Sequence, residues 1–333
     1  MNLPPDLSVV VEVTRGDLVE SRHRVHAAVV GDGGNVMARS HDPRVATMWR
    51  SCAKPFQVLP FLASGGFDQV RWGDEELALA CASHGGEPEH VALAAKMLGS
   101  IGLEEADLAC GPHEPLSARG VKMARDLGVR WSRLHNNCSG KHAAMLARAV
   151  TAGWQVPGYE RADHPVQRSI LGEVAAWTGV SPDDMALAVD GCGAMVMGLP
   201  LHRMALAWAR WAHAVSTGDG YPARIANAIR AHPHLFGGTD RFDTVLIETT
   251  RGRVLTKVGA EGVHCAAIPE MGIGVAIKVE DGAARAQHVA LIRVLQDIGA
   301  LPNPVPEQLQ EWASKRVWNT RGEGVGVIRA AGG

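Results

Sequence analysis

Residues 243–279 read DTVLIETTRGRVLTKVGAEGVHCAAIPEMGIGVAIKV. Within them DTVLIETT, RVLTKV, GVHCAAI and IGVAIKV alternate or run apolar in strand-length pieces, with a turn at Gly252. Such pieces predict an antiparallel meander. The start of the chain has the same texture. Residues 8–13 (SVVVEV), 24–30 (RVHAAVV) and 35–38 are strand candidates separated by turns at 14–17 and 31–34, and 324–329 (GVGVIR) is a last strand. Between the two ends apolar residues recur every three to four positions, which predicts helices over 74–82, 88–100, 116–127, 140–152, 164–178, 199–215 and 221–231. A further helix is expected over 283–298, before a segment marked by Pro302, Pro304 and Pro306. Strands at both ends and helices in the middle predict an α+β fold, with one antiparallel sheet assembled from both termini and helices packed on it. A helical lobe is expected over approximately 65–235. No linker of real length divides the chain, so one domain over 1–333 is the expectation.

Composition narrows the function. With 46% apolar residues the chain can bury a substantial core. A formal charge of −2 argues against a nucleic-acid or anionic-membrane surface. No apolar run is long enough to span a bilayer. The opening MNLPPDLSVVVEV lacks a basic region followed by an apolar signal core, so the expected compartment is the cytoplasm. Cys52, Cys81, Cys110, Cys138, Cys192 and Cys265 are irregularly spaced in a large chain. That pattern reads as thiols, some of them candidate metal ligands, rather than a disulfide scaffold.

Three stretches could carry nucleophilic chemistry. The first is Trp49-Arg50-Ser51-Cys52-Ala53-Lys54-Pro55-Phe56-Gln57, read as the start of a helix running to about 64 and bent at Pro60. Ser51 and Lys54 lie one helical turn apart, so the amine can reach the hydroxyl and serve as its base. Ser51 as a plain helix N-cap is the simpler alternative. The second is Ala82-Ser83-His84-Gly85-Gly86-Glu87, a Ser and a His on a Gly-flanked turn, where Ser83 as a cap is again the alternative. The third is Lys257-Val258-Gly259 at a strand end, which places a cation beside room for a ligand, or else a solvated hairpin lysine. Ser-x-x-Lys, a Ser-bearing turn and Lys-x-Gly in this order also occur in penicillin-binding proteins and class A β-lactamases.

Two further loops carry soft ligands. His135-Asn136-Asn137-Cys138-Ser139-Gly140-Lys141-His142 opens an apolar helix, and Asp190-Gly191-Cys192-Gly193 is a Gly-flanked turn. Thiolates at two such turns could hold zinc, although no Cys-x-x-Cys or His-x-x-His pattern is present. Two small buried cysteines are the alternative.

WRSCAKPFQ, CASHGGE, HNNCSGKHAAML, DGCGA, KVGAEGV and GIGVAIKVEDG, with the opening VTRGDLVESRHR, together resemble the asparaginase II family of rhizobial type. The resemblance spreads over most of 9–290 and is weakest over 195–255. It implies a fold similar to serine β-lactamases and glutaminases, and hydrolysis of L-asparagine to L-aspartate and ammonia. It implies two Ser–Lys pairs at one site, Ser51 with Lys54 and Ser83 with Lys257. It also implies one zinc held by Cys138, Lys141 and Cys192 with water, and Arg50, His142 and Asp190 around the substrate. A cytoplasmic homodimer is implied as well. Lys141 could ligate only as the neutral amine, and it lies one turn from Cys138. Cys52, inside the Ser-x-x-Lys motif, has no role in this scheme. The rival expectations are a serine β-lactamase- or peptidase-like acyl-transfer enzyme, a non-catalytic asparagine or zinc sensor, and a zinc hydrolase acting through metal-bound water.

Overall fold

A computed structural model describes residues 3–218 and 220–331. The chain divides into two compact units. One comprises Met1–Cys52, Leu199–Ser216 and Val245–Gly333, and the other Ala53–Gly198 and Thr217–Thr244.

The strands in chain order are β1 (Val10–Arg15), β2 (Leu18–Gly31), β3 (Val36–Ser40), β4 (Ala46–Met48), β5 (Ala186–Val189), β6 (Met195–Pro200), β7 (Leu255–Val258), β8 (Val263–Ile268), β9 (Ile273–Val279), β10 (Ser314–Trp318) and β11 (Gly324–Ala330). The first unit is built on an eight-stranded sheet in the order β10-β11-β1-β2-β9-β8-β7, with β3 also paired to β2. Its pairings are antiparallel, and strands from both ends of the chain meet where β1 pairs with β11 and β2 with β9. The mixed helical and antiparallel architecture is therefore the one the sequence pattern predicts. β2 is long enough to serve two neighbours on one side: its first half pairs with β1 and its second half with β3. That second half, Val25–Gly31, is buried throughout, as is Ile273–Ile277 of β9. Runs buried on both faces read as continuous apolar stretches rather than alternating ones. Helix Ala284–Asp297 and all but the last residue of helix Leu201–Thr217 belong to this unit, and each helix is buried along most of its length.

One predicted strand is a helix. All but the last residue of DTVLIETT lies in helix Phe242–Thr249. Phe242, Asp243, Thr244, Leu246, Ile247 and Thr250 are buried, in groups three to four residues apart that a strand does not produce. Thr250 Oγ1 donates back to the Leu246 carbonyl, which lets a β-branched residue sit at the helix end. The helix expected from 51 to about 64, bent at Pro60, is instead a 3₁₀ turn (Arg50–Ala53) followed by two short helices, Lys54–Gln57 and Leu59–Ala63. Pro55 and Pro60 lack the amide hydrogens that would fuse the pieces. The hairpin β5–β6 and the edge strand β10 are additions to the sequence reading.

The second unit is helical around Ser139–Thr151, whose residues 139–147 are all buried. This helix packs on Asp74–Ala80, Pro88–Ser100 and Pro165–Thr178. Gly140 allows the approach, since a Cβ there would collide with the Leu79 carbonyl and side chain. The close contact brings the start of one helix against the end of the helix that leads into Ser83. Gly140→Ala is expected to lower stability by about 1–3 kcal/mol, the usual range for overpacking, measured by chemical denaturation.

Candidate active site

The second unit brings Lys54 and Ser83 together. Lys54 is buried, and its Nζ donates to Ser83 Oγ at 3.0 Å, to the Ala82 carbonyl, and to the Asn137 carbonyl at 3.4 Å. Ser83 is not a helix cap. It sits in the loop after helix Asp74–Ala80, with its amide donating to the Phe236 carbonyl, while the next helix is preceded by Glu87. The amide of His84 donates to the Asn137 carbonyl, so the Ser83 loop and the Asn137 loop run together.

His84 fixes that arrangement. Its Nδ1 accepts from the Gly86 amide at 3.1 Å, so the proton of the neutral ring belongs on Nε2. Nε2 then donates to Ser139 Oγ at 2.9 Å, and Ser139 Oγ donates to the Leu134 carbonyl at 3.0 Å. Burial holds the His84 pKa well below its ordinary value, and nearby His90 and Lys54 act in the same direction. Glu87 anchors the far end of the loop. Its carboxylate accepts from Thr239 through the amide at 2.7 Å and the hydroxyl at 2.8 Å, and it pairs with Arg119.

A second cluster opens helix Ser139–Thr151. Lys141 Nζ lies 3.1 Å from Cys192 Sγ, and Cys138 donates its thiol hydrogen to the same sulfur. That bond, with Lys141 beside it and against the cost of burial, brings the Cys192 pKa down to about 4. Cys138, the donor, is pushed up to about 12 by the same bond and by burial. Burial would lower Lys141, but the charges of Cys192, Cys138 and Asp190 outweigh it and raise its pKa. Cys138, Lys141 and Cys192 therefore converge as one buried group with a thiolate at its centre. Asp190 sits at the β5–β6 turn, where its carboxylate accepts from the Gly191 amide at 2.8 Å. His142 is buried, and burial first and Lys141 second bring its pKa down to about 3. Its Nδ1 is 2.6 Å from Tyr159 Oη, while Nε2 has no partner.

Ser51, Arg50 and Lys257 belong to the first unit. Ser51 is half-buried in the 3₁₀ turn, where residues three apart eclipse one another. Arg50 holds a left-handed backbone with φ of 53°. Lys257 is not a solvated hairpin lysine. It is fully buried on β7, with Nζ donating to the Val258 carbonyl at 3.0 Å.

The motifs did not single out Tyr159 or Cys110. Tyr159 accepts from the Ala109 amide and orients His142. Cys110 is a buried thiol raised to about 12 by burial and by the charges of Cys138 and Cys192. The rarity of Tyr in this chain was the available signal for the first, and the cysteine inventory for the second. Glu87, Glu89 and His234 also lie close enough to suggest a metal site. Arg119 already bonds both carboxylates, at 2.8 and 2.6 Å to Glu89, so a cation is in place there.

Comparison with known families sets the chain among hydrolases of the asparaginase type. The L-asparaginase II family model matches residues 11–330, nearly the whole length, and the chain belongs to that family. A search of curated proteins found no match.

His84 gives the site a pH signature. A histidine whose folded pKa is depressed contributes stability that is intact above about 6.5 and is lost as pH falls below it, because only the unfolded chain then binds the proton. The slope is about 1.4 kcal/mol per pH unit for one such group. His84→Gln keeps a donor for Ser139 and does not titrate, so its unfolding free energy should fall less steeply between about pH 6.5 and 5 than that of the wild type.

Proposed function

We propose that the protein hydrolyses L-asparagine to L-aspartate and ammonia through an acyl-enzyme. Family membership over residues 11–330 carries this reading, and the buried contact of Lys54 Nζ with Ser83 Oγ supports it. In this mechanism the Ser51 hydroxyl attacks the carboxamide carbon and Lys54 takes its proton. Ser83 and Lys257 pass the proton to the nitrogen as the C–N bond breaks. Ammonia leaves, and a β-aspartyl ester remains on Ser51. Water then attacks the ester through the same relay in reverse, releasing L-aspartate and restoring the serine. Arg50 clamps the substrate α-carboxylate in bidentate fashion, and His142 and Asp190 orient the polar groups nearby.

Cys138, Lys141 and Cys192 are the proposed zinc ligands, with water completing the shell. The donor set fits, since a thiolate, a thiol and an amine share one buried space. Zinc bound there would supply a fixed positive charge that orients the substrate, while the Ser–Lys pairs provide nucleophile and base. Loading requires protons to leave Cys138 and Lys141. A fold like that of serine β-lactamases, a cytoplasmic location and a homodimeric state complete the proposal.

The test is ammonia release from asparagine and glutamine, turnover of a chromogenic β-lactam, and metal content on the same samples. Asparagine is expected to be the substrate turned over, with Ser51→Ala slower by roughly a thousandfold or more. Near-normal turnover by Ser51→Ala overturns the mechanism. β-Lactam turnover without ammonia release would favour acyl transfer to other substrates, and asparagine binding without turnover a sensor. Cys192→Ala is expected to lose stoichiometric zinc and to raise KM more than it lowers kcat. If chelation instead abolishes kcat, metal-bound water is the nucleophile.

A further inference from the structure

Cys52 stands next to Ser51 and is fully buried. Its thiol donates to the Lys257 carbonyl at 2.9 Å and lies 3.6 Å from the Val263 carbonyl. We propose that Cys52 is a positioning residue, whose thiol holds the Ser51 turn in register with the strand that carries Lys257. This rests on the reading of Ser51 and Lys257 as parts of the reacting apparatus.

Three observations within the first unit carry the inference. The strand end is shaped around this sulfur. A Cβ on Gly259 would sit 3.0 Å from Cys52 Sγ and 3.5 Å from Arg50 Cβ, so any larger residue would push the turn away. The receiving frame is itself fixed. Gln287 Nε2 donates to the Gly259 carbonyl at 2.9 Å and to the Val263 carbonyl at 2.6 Å, and the Gly259 amide donates to Val263 at 2.8 Å. The turn is also held in a costly shape, because Arg50 has the left-handed φ that residues with a side chain rarely adopt. Such a conformation persists only where its surroundings over-determine it.

The chemistry of the residue suits the task. A thiol on a long C–S bond reaches a carbonyl that a serine hydroxyl would approach less closely. It is a weak donor, and a single hydrogen bond is all the register needs from it. Lys257 pairs with Cys265 on the ladder and accepts from Cys52 at its carbonyl. Through one backbone atom, Cys52 therefore links the residue beside the proposed nucleophile to the proposed relay lysine.

The experiment compares wild type, Cys52→Ala and Cys52→Ser in kcat, KM and the pH dependence of kcat with asparagine. Cys52→Ala is expected to lower kcat by roughly ten- to a hundredfold, as small misplacements of reacting groups do, with KM close to wild type and a shifted pH profile. Cys52→Ser, which keeps a donor, should recover part of the loss. A merely structural cysteine would lower the melting temperature and leave kcat and its pH profile intact, and that result overturns the proposal. If Cys52→Ala does not fold, Gly259→Ala decides, because it crowds the sulfur while keeping it. The same selective loss of kcat supports the register role, and an unchanged kcat overturns it. Should Ser51→Ala keep its turnover, the mechanistic reading fails separately. The tether is then judged by the S–H stretch in infrared difference spectra of wild type against a folded Cys52 variant. A band lowered by hydrogen bonding supports it, and an unshifted band sinks it.

Discussion

Three lysine amines taken out of water set the terms for both units. Among the described residues Lys54, Lys141 and Lys257 are all buried, and an amine in that position needs acceptors or a counter-charge. The chain meets the need in three ways. Lys54 is given two backbone carbonyls and the Ser83 hydroxyl. Lys141 is given a thiolate. Lys257 is turned back on the carbonyl of its own neighbour, Val258. The three environments differ in what the amine faces, carbonyl and hydroxyl oxygens at Lys54, a thiolate at Lys141 and a backbone carbonyl at Lys257.

The thiols follow the same logic from the acceptor side. Cys138, Cys192 and Cys110 are alike in chemistry and all buried, yet Cys192 is brought down to about 4 while the other two are raised to about 12. Burial alone disfavours every thiolate. Cys192 escapes because it receives a thiol hydrogen from Cys138 and faces Lys141. The Gly-flanked β5–β6 turn places that sulfur, and the first turn of helix Ser139–Thr151 places the amine. Gly140 lets this helix start close against Leu79, so the packing that builds the lobe also assembles the cluster.

The parts of this structure legible from sequence were those with a local period. The terminal strands and the helices Pro88–Ser100, Ser139–Thr151 and Pro165–Thr178 announce themselves through apolar spacing. DTVLIETT misled because Val, Leu and Ile in succession satisfy a buried strand and a buried helix equally, and only burial every three to four residues separates the two. The Ser-x-x-Lys stretch misled differently. Its prolines break a helix into pieces that a reading of spacing alone joins up. The candidate residues are legible as types in motifs, and Ser51 and Lys54 pair by their spacing in sequence. The contact of Lys54 with Ser83 joins residues 29 apart, which no local pattern shows. Tyr159 and Glu87 were out of reach for the same reason, since each matters through partners remote in the chain.

Two places in the second unit resemble metal sites, and their existing partners separate them. At Glu87, Glu89 and His234, a guanidinium bonds both carboxylates and Thr239 donates twice more to Glu87. A divalent ion would have to expel Arg119 and would gain only the charge neutralisation that Arg119 already provides. That group is better understood as the clasp that holds the Ser83 loop at its far end. At Cys138, Lys141 and Cys192 the internal arrangement is an ammonium against a thiolate, with a thiol donating beside it. A soft divalent cation would replace those protons with a single charge and use all three groups as donors. Carboxylates closed by arginine build a scaffold, whereas the thiolate of Cys192 is closed by a thiol and an ammonium.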